Sequence, residues 1–141
     1  MRYSLFAAVA AVSILASTAT SAATLNYMAM LKGADEVPAN TTTGTGMVMA
    51  SLDTVTKVFS YEITYSGLSG PAVAAHFHGP ALAGANAGPT VPITSLPSPI
   101  EGTATLSDAQ ATDLAAGKWY FNVHTAAHPV GEIRGQLIAT K

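Results

Sequence analysis

The chain contains four histidines, His76, His78, His124 and His128, and they fall in two short segments. His76 and His78 stand two residues apart within an extended-looking stretch, so both project from one face of a strand, opposite Val73, Ala75 and Phe77. Their Cβ atoms would be about 7 Å apart on a stiff backbone. His124 belongs to a second alternating stretch, opposite Trp119, Phe121 and Val123. If the two strands are neighbours, three imidazoles converge on the outer surface of a sheet. Imidazole nitrogen suits zinc, copper, nickel and iron, and a third nitrogen from a neighbouring strand completes a three-nitrogen site. His128 follows in an expected turn ending at Pro129 and is a candidate fourth ligand. Glu132 could ligate or support a ligand from behind, with Asn122 and Arg134 as further supporting or structural groups. The competing reading is structural: histidines before loops also anchor them by hydrogen bonding to backbone carbonyls and carboxylates. Spacing alone leaves both readings open. There is no nucleophile elbow around a serine, no close acidic pair and no phosphate-cradling glycine motif, so the residues point to no catalytic role.

Thioethers form a second grouping. Met28 and Met30 share one face of an alternating stretch, and Met47 and Met49 share one face of the next. An antiparallel hairpin would set Met28 opposite Met49 and Met30 opposite Met47, because both pairs sum to the same register. Thioether sulfur favours Cu(I); the plainer alternative is packing by a flexible apolar side chain. Together with the histidines, the methionines favour copper over zinc as the expected metal.

These residues need elements to position them. Stretches 25–31, 46–52, 55–66, 73–78, 118–125 and 131–139 alternate with the period of strands, and 90–106 holds two short strands around Pro92, Pro97 and Pro99. Loops rich in glycine, proline and threonine separate them. One short helix is expected near 107–116, opened by the capping box Ser107/Gln110 and stopped by Gly117. Seven or eight short strands predict an all-β fold, a Greek-key antiparallel β-sandwich or barrel of the superoxide dismutase-like or immunoglobulin-like kind. The 141 residues suit one domain.

Residues 1–23 read as a secretory signal peptide: Arg2, an uncharged apolar run from Leu5 to Ala16, then Thr20, Ser21, Ala22 and Ala23. The apolar run is too short to span a bilayer, and no cysteine is present for a lipid anchor. The expectation is a periplasmic or secreted protein with no membrane anchor after leader removal. Charged residues are 10% of the chain and the net charge is -2, which leaves no basic patch for nucleic acid. The absence of cysteine also excludes a disulfide or a thiolate.

Several motifs in order resemble the CHRD domain, named from chordin: Leu31-x-Gly33, Glu36-Val37-Pro38, Tyr65-x-Gly67-Leu68, Ala74 to Ala81 around His76 and His78, Tyr120 to Thr125, and Gly131 to Leu137. The resemblance runs from about Leu25 to Ile138 and makes residues 24–141 one such domain. It implies an extracellular setting and no established general activity. The family usually carries Asn-Pro-Gly-Gly where this chain has His128-Pro129-Val130-Gly131, so His128 is peculiar to this chain. A partial likeness to copper/zinc superoxide dismutase lies in the order of His76, His78 and His124; the bridging histidine, disulfide and active-site arginine of those enzymes are missing. The reading that results is an exported, non-enzymatic module holding a metal ion, copper or zinc. A metal-free structural or interaction domain, in which the histidines, Glu132 and Arg134 tie loops together by hydrogen bonds and charge pairing, is the alternative, and a dismutase-like redox enzyme the third.

Overall fold

The computed structural model describes residues 22–141. Apart from Ala22 and Ala23, the expected leader lies outside the described residues. Nine strands and one α-helix follow: β1 (Thr24–Lys32), β2 (Thr45–Asp53), β3 (Val58–Ser66), β4 (Ala72–His78), β5 (Pro89–Pro92), β6 (Ile100–Thr105), α1 (Asp108–Ala115), β7 (Tyr120–Thr125), β8 (Ile133–Gln136) and β9 (Ile138–Thr140). All strand pairs are antiparallel. The strand order is β5-β4-β7-β8-β1-β2-β3-β6, with β9 also on β1.

The chain lays β1, β2 and β3 as a meander, crosses over for β4 and β5, and returns to set β6 beside β3. It crosses again through α1 to insert β7 between β4 and β8. This is the expected all-β sandwich of Greek-key type. Alternation explains how it closes. Tyr27, Ala29 and Leu31 of β1, Val48 and Leu52 of β2, and Phe59 and Ile63 of β3 are buried on one face, against Ala75, Phe77, Phe121 and Val123 on the other. Aromatic rings join the two halves: Phe59 meets Phe77 edge-on at 5.1 Å and Trp119 at 5.8 Å, a favoured geometry for such pairs. The prolines of β5 sit on an edge strand, where their missing N–H costs no ladder bond.

The helix begins as read. Ser107 Oγ accepts from the Gln110 N–H at 3.2 Å, and the Ser107 N–H donates to Gln110 Oε1 at 2.9 Å. Gly117, at φ +70°, turns the chain out after it.

Three expectations change. The strand expected from Val55 begins at Val58, because the Asp53 carboxylate accepts from the N–H groups of Val55 and Thr56 and folds 54–57 into a turn. The stretch 131–139 is two strands divided at Leu137, whose N–H donates to Trp119 O at 2.9 Å on the β7 side, before Ile138–Thr140 pair with β1. Val73 is 58% exposed although it shares parity with Ala75 and Phe77. It is the extra residue of a bulge between Ala72 and Ala74.

The aromatic contacts and the helix cap should differ in weight. Phe77→Ala is expected to lower unfolding free energy by about 3–5 kcal/mol, and Ser107→Ala by about 1 kcal/mol. Urea titrations of the two variants check this; equal losses would contradict the placement of Phe77 at the centre of the core.

Candidate metal centre

Strand β4 pairs with β7 so that Ala74 faces His124, His76 faces Asn122 and His78 faces Tyr120. Residues of even number on both strands therefore point away from the core. The pairing brings together the three histidines that the spacing suggested. Ring centroids lie 5.4 Å apart for His76 and His78, 5.2 Å for His76 and His124, and 6.4 Å for His78 and His124. One ligand nitrogen from each ring lies within 4.8 Å of the others. An ion held at about 2.0–2.1 Å from each nitrogen spaces them at most about 4.2 Å apart. The rings would have to close by roughly half an ångström around it.

Hydrogen bonding assigns the protons. A carbonyl only accepts, so a ring nitrogen bonded to one must carry hydrogen. His78 Nδ1 donates to Ala87 O at 2.9 Å, and His124 Nδ1 donates to Pro129 O at 3.1 Å. Both Nε2 atoms then keep their lone pairs. That of His124 accepts from His76 Nδ1 at 3.3 Å, while that of His78 is buried without any partner. Backbone carbonyls that hold Nδ1–H are a usual way to orient a metal-ligating imidazole.

Burial holds the pKa of His76 below the ordinary imidazole range. Burial also lowers those of His78 and His124, helped by the neighbouring histidines and opposed by their carbonyl bonds. Neutral imidazole, the ligand form, is thereby favoured.

The cluster is less open than expected. His78 is only 8% exposed because residues 79–88 fold across it. A column of three groups fastens this loop. The His78 ring stacks on Tyr120 at 4.8 Å with planes 1° apart, and the Arg134 guanidinium covers the other face of Tyr120 at 3.4 Å. Arg134 donates to Asn86 Oδ1 at 2.8 Å and to Ala85 O. The Tyr120 hydroxyl exchanges bonds with the N–H and carbonyl of Ala87, both at 3.2 Å. Asn86 Nδ2 donates to Val37 O at 3.0 Å. Arg134 thus fastens the loop to Tyr120. Asn122 lies buried beside the cluster with Oδ1 unpartnered.

Glu132 is a correction only as a ligand, since it supplies no atom to the gathered group; as the structural group also considered, it is a buried clamp at the end of the sandwich. Its carboxylate accepts from Thr42 Oγ1 at 2.6 Å, Ser69 N–H at 2.7 Å, Ser69 Oγ at 2.6 Å and Thr125 Oγ1. Burial by itself would raise its pKa, but these donors together hold it down to about 2. The turn before β8 is the reason: Gly131 sits at φ +133°, and the Glu36 carboxylate fills the space a Cβ there would need. His128 is a second correction. Its backbone closes a turn with Thr125, and it is not among the residues whose ligand atoms gather.

Glu36 was not among the candidate residues. It is buried, with Oε1 unpartnered. Burial pushes its pKa up to about 7, against the lowering effects of Arg134, Asn122 and the Val37 backbone. It lines, with Val37, Gly84, Arg134 and Gln136, a cavity of about 270 Å³. A glutamate flanked by Asp35 and Val37 before a proline carries no periodic signal of burial.

A family model for the CHRD domain matches residues 27–137, and the chain belongs to that family. Comparison with curated proteins and with solved structures finds no match.

The two buried carboxylates predict opposite pH behaviour. Glu132 has a folded pKa of about 2, below its ordinary 4.5. Its contribution is present above pH 4.5 and lost as pH falls toward 2. Glu132→Gln should cost roughly 2–4 kcal/mol at pH 7, since charged acceptors are lost from several buried donors, and should cost much less near pH 2. Glu36 has a folded pKa of about 7, above 4.5, so its contribution is present below pH 4.5 and lost as pH rises through 7. Glu36→Gln should raise the melting temperature at pH 8 and change it little at pH 5. Thermal melts across pH read both; a Glu36→Gln gain that is the same at pH 5 and pH 8 would contradict the assignment.

Proposed function

We propose that this CHRD-domain chain is an exported, non-enzymatic module that binds a transition metal through His76, His78 and His124. Copper is the first choice, because divalent copper tops the affinity order for nitrogen ligands; zinc is the second. The role would be to hold or deliver the ion outside the cytoplasm. The leader-like segment supports export. The observation that carries the metal reading is the gathering of one ligand nitrogen from each of the three rings within 4.8 Å, with Nδ1–H of His78 and of His124 engaged by a backbone carbonyl, Nε2 of His124 bonded only to His76, and Nε2 of His78 buried without a partner. A buried acceptor left without a donor is costly, and a cation at that position would satisfy it. Binding through His76 Nδ1 would require only moving its proton to Nε2, a tautomer change with no change in charge.

The same carbonyl bonds favour a second reading, a metal-free fold in which His78 and His124 pin the loops at Ala87 and Pro129. His76 separates the two readings, because its ring bonds only to His124. A dismutase-type reaction is the third reading, and a superoxide assay on copper-loaded protein is expected to show little activity.

With Cu(II) at one hundred times the dissociation constant, stability should rise by about 2.7 kcal/mol, seen as a higher melting temperature. His76→Ala should abolish this rise while leaving the metal-free melt nearly unchanged. Because imidazole must be neutral to bind, affinity should fall roughly ten-fold or more from pH 7.5 to pH 5. Equal affinity at both pH values would remove imidazole from the site, and a His76→Ala variant that unfolds without metal would favour the structural reading.

A further inference from the structure

The opposite half of the sandwich carries a second grouping of soft donors. Strand β1 pairs with β2 in the register Met28 to Met49 and Met30 to Met47, as the sequence predicts. The packing explanation does not hold for Met28, Met30 and Met49, while Met47 is half-buried. The core side of the two strands is filled by Tyr27, Ala29, Val48 and Ala50, whereas Met28 is 39%, Met30 59% and Met49 56% exposed. Met28, Met47 and Met49 line one depression of about 390 Å³, with Asn26 and Thr140 at its margin. Facing side chains on paired strands have Cβ atoms about 4.5–5.5 Å apart, so three thioether sulfurs can reach one point from two strands.

The charges of this face point the same way. Met28, Met49, Glu62 and Glu101 form one cross-strand row over β1, β2, β3 and β6. Glu62 and Glu101 stand directly opposite each other, an arrangement of like charges that disfavours pairing. Neither makes an ion pair among the described residues. Two uncompensated carboxylates therefore lie beside exposed thioethers, and their potential attracts a cation. Thioethers hold monovalent d¹⁰ ions far better than divalent borderline ones, so the chemistry selects a different ion from the one three imidazoles would take.

We propose that the outer face of β1 and β2 is a soft-cation site in which Met28, Met47 and Met49 bind Cu(I), or Ag(I) in its place, with Glu62 and Glu101 supplying the attracting charge. It lies on the opposite outer face from the histidines and shares no residue with them, so its test stands apart from theirs.

The protein labelled at the methionine methyl groups would be titrated with Ag(I), which is redox-inert. The methyl resonances of Met28, Met47 and Met49 should shift and saturate at one equivalent, before the imidazole resonances of His76 and His124 move. The double variant M28L/M49L should lose the saturable shift, with circular dichroism showing that this exposed apolar exchange leaves the fold intact. Glu62→Gln should weaken binding roughly three-fold, the effect of one charge a few ångströms away through water, and Glu101→Gln, one strand further off, by roughly two-fold at low salt. The proposal is overturned if the imidazoles take the first equivalent with the methyl groups unmoved, if no resonance shifts, or if the saturable shift survives in M28L/M49L. Unchanged affinity in both glutamine variants would overturn the part given to the carboxylates.

Discussion

The pairing of β4 with β7 is the constraint that the rest of this molecule depends on. One antiparallel register sets Phe77 opposite Phe121 on the inner face, with ring centroids 4.8 Å apart. The same register sets His76, His78 and His124 together on the outer face. A slip by one residue would exchange the two faces, putting imidazoles in the core and aromatic rings in water. Burial of Phe77, Phe121 and Trp119 therefore holds the register, and the register holds the histidines. The bulge at Val73 is confined to the start of β4, so the β4–β7 ladder is regular where the histidines stand, while the pairing of β4 with β5 shifts register between Phe77 and His78.

The outer face of β4, β7 and β8 is not a solvated sheet surface. Arg134, Tyr120 and His78 stack in sequence across it, and the loop 79–88 closes over them through Ala85, Asn86 and Ala87. The result is a second, polar layer outside the aromatic core. A buried guanidinium close to imidazoles disfavours their protonation, and Arg134 acts in that direction on His78. Burial pushes the pKa of Glu36, beside Arg134, up to about 7. The layer thus disfavours imidazolium at His78, which keeps the nitrogen in its neutral ligand form. Glu132, one position outside β8, serves another purpose: its donors come from the 40–44 segment, from Ser69 and from Thr125, and it ties three parts of the chain at one end of the sandwich.

Side-chain parity made much of this legible in the sequence. Alternation assigned the strands, the capping box located the helix, and the Met28/Met49 and Met30/Met47 register followed from hairpin arithmetic. The histidine cluster needed only that two strands be neighbours. What parity could not show is whatever covers a face. The burial of His78 comes from a loop of glycine, alanine and proline with no period of its own. The orientation of Glu132 comes from the positive φ of Gly131, which turns the chain just before β8. The burial of Glu36 comes from the same place, since its carboxylate occupies the room left by the missing Gly131 side chain. Strand period describes residues inside a ladder; these three stand at its ends.

Gly131, Glu132, Arg134 and Gly135 sit within one short run, and their roles are of different kinds. Gly135 admits the Met30 backbone, which occupies the position of its absent Cβ, so β8 can lie close against β1. Arg134 faces outward to the polar layer, Glu132 faces the end of the sandwich, and Gly131 makes room for Glu36. None of the four supplies a ligand atom to the histidine cluster. This run closes the sandwich on β1 and fastens its loops, and the chemistry-bearing nitrogens are set on the two strands beside it. The division has a physical logic. A ligand cluster must keep lone pairs unspent, and the structural duty of satisfying buried donors here falls on Glu132, which spends its carboxylate on four of them. Imidazoles relieved of that duty except through Nδ1 leave Nε2 of His78 unpartnered and Nε2 of His124 bonded only to His76, and that is the property on which metal binding would rest.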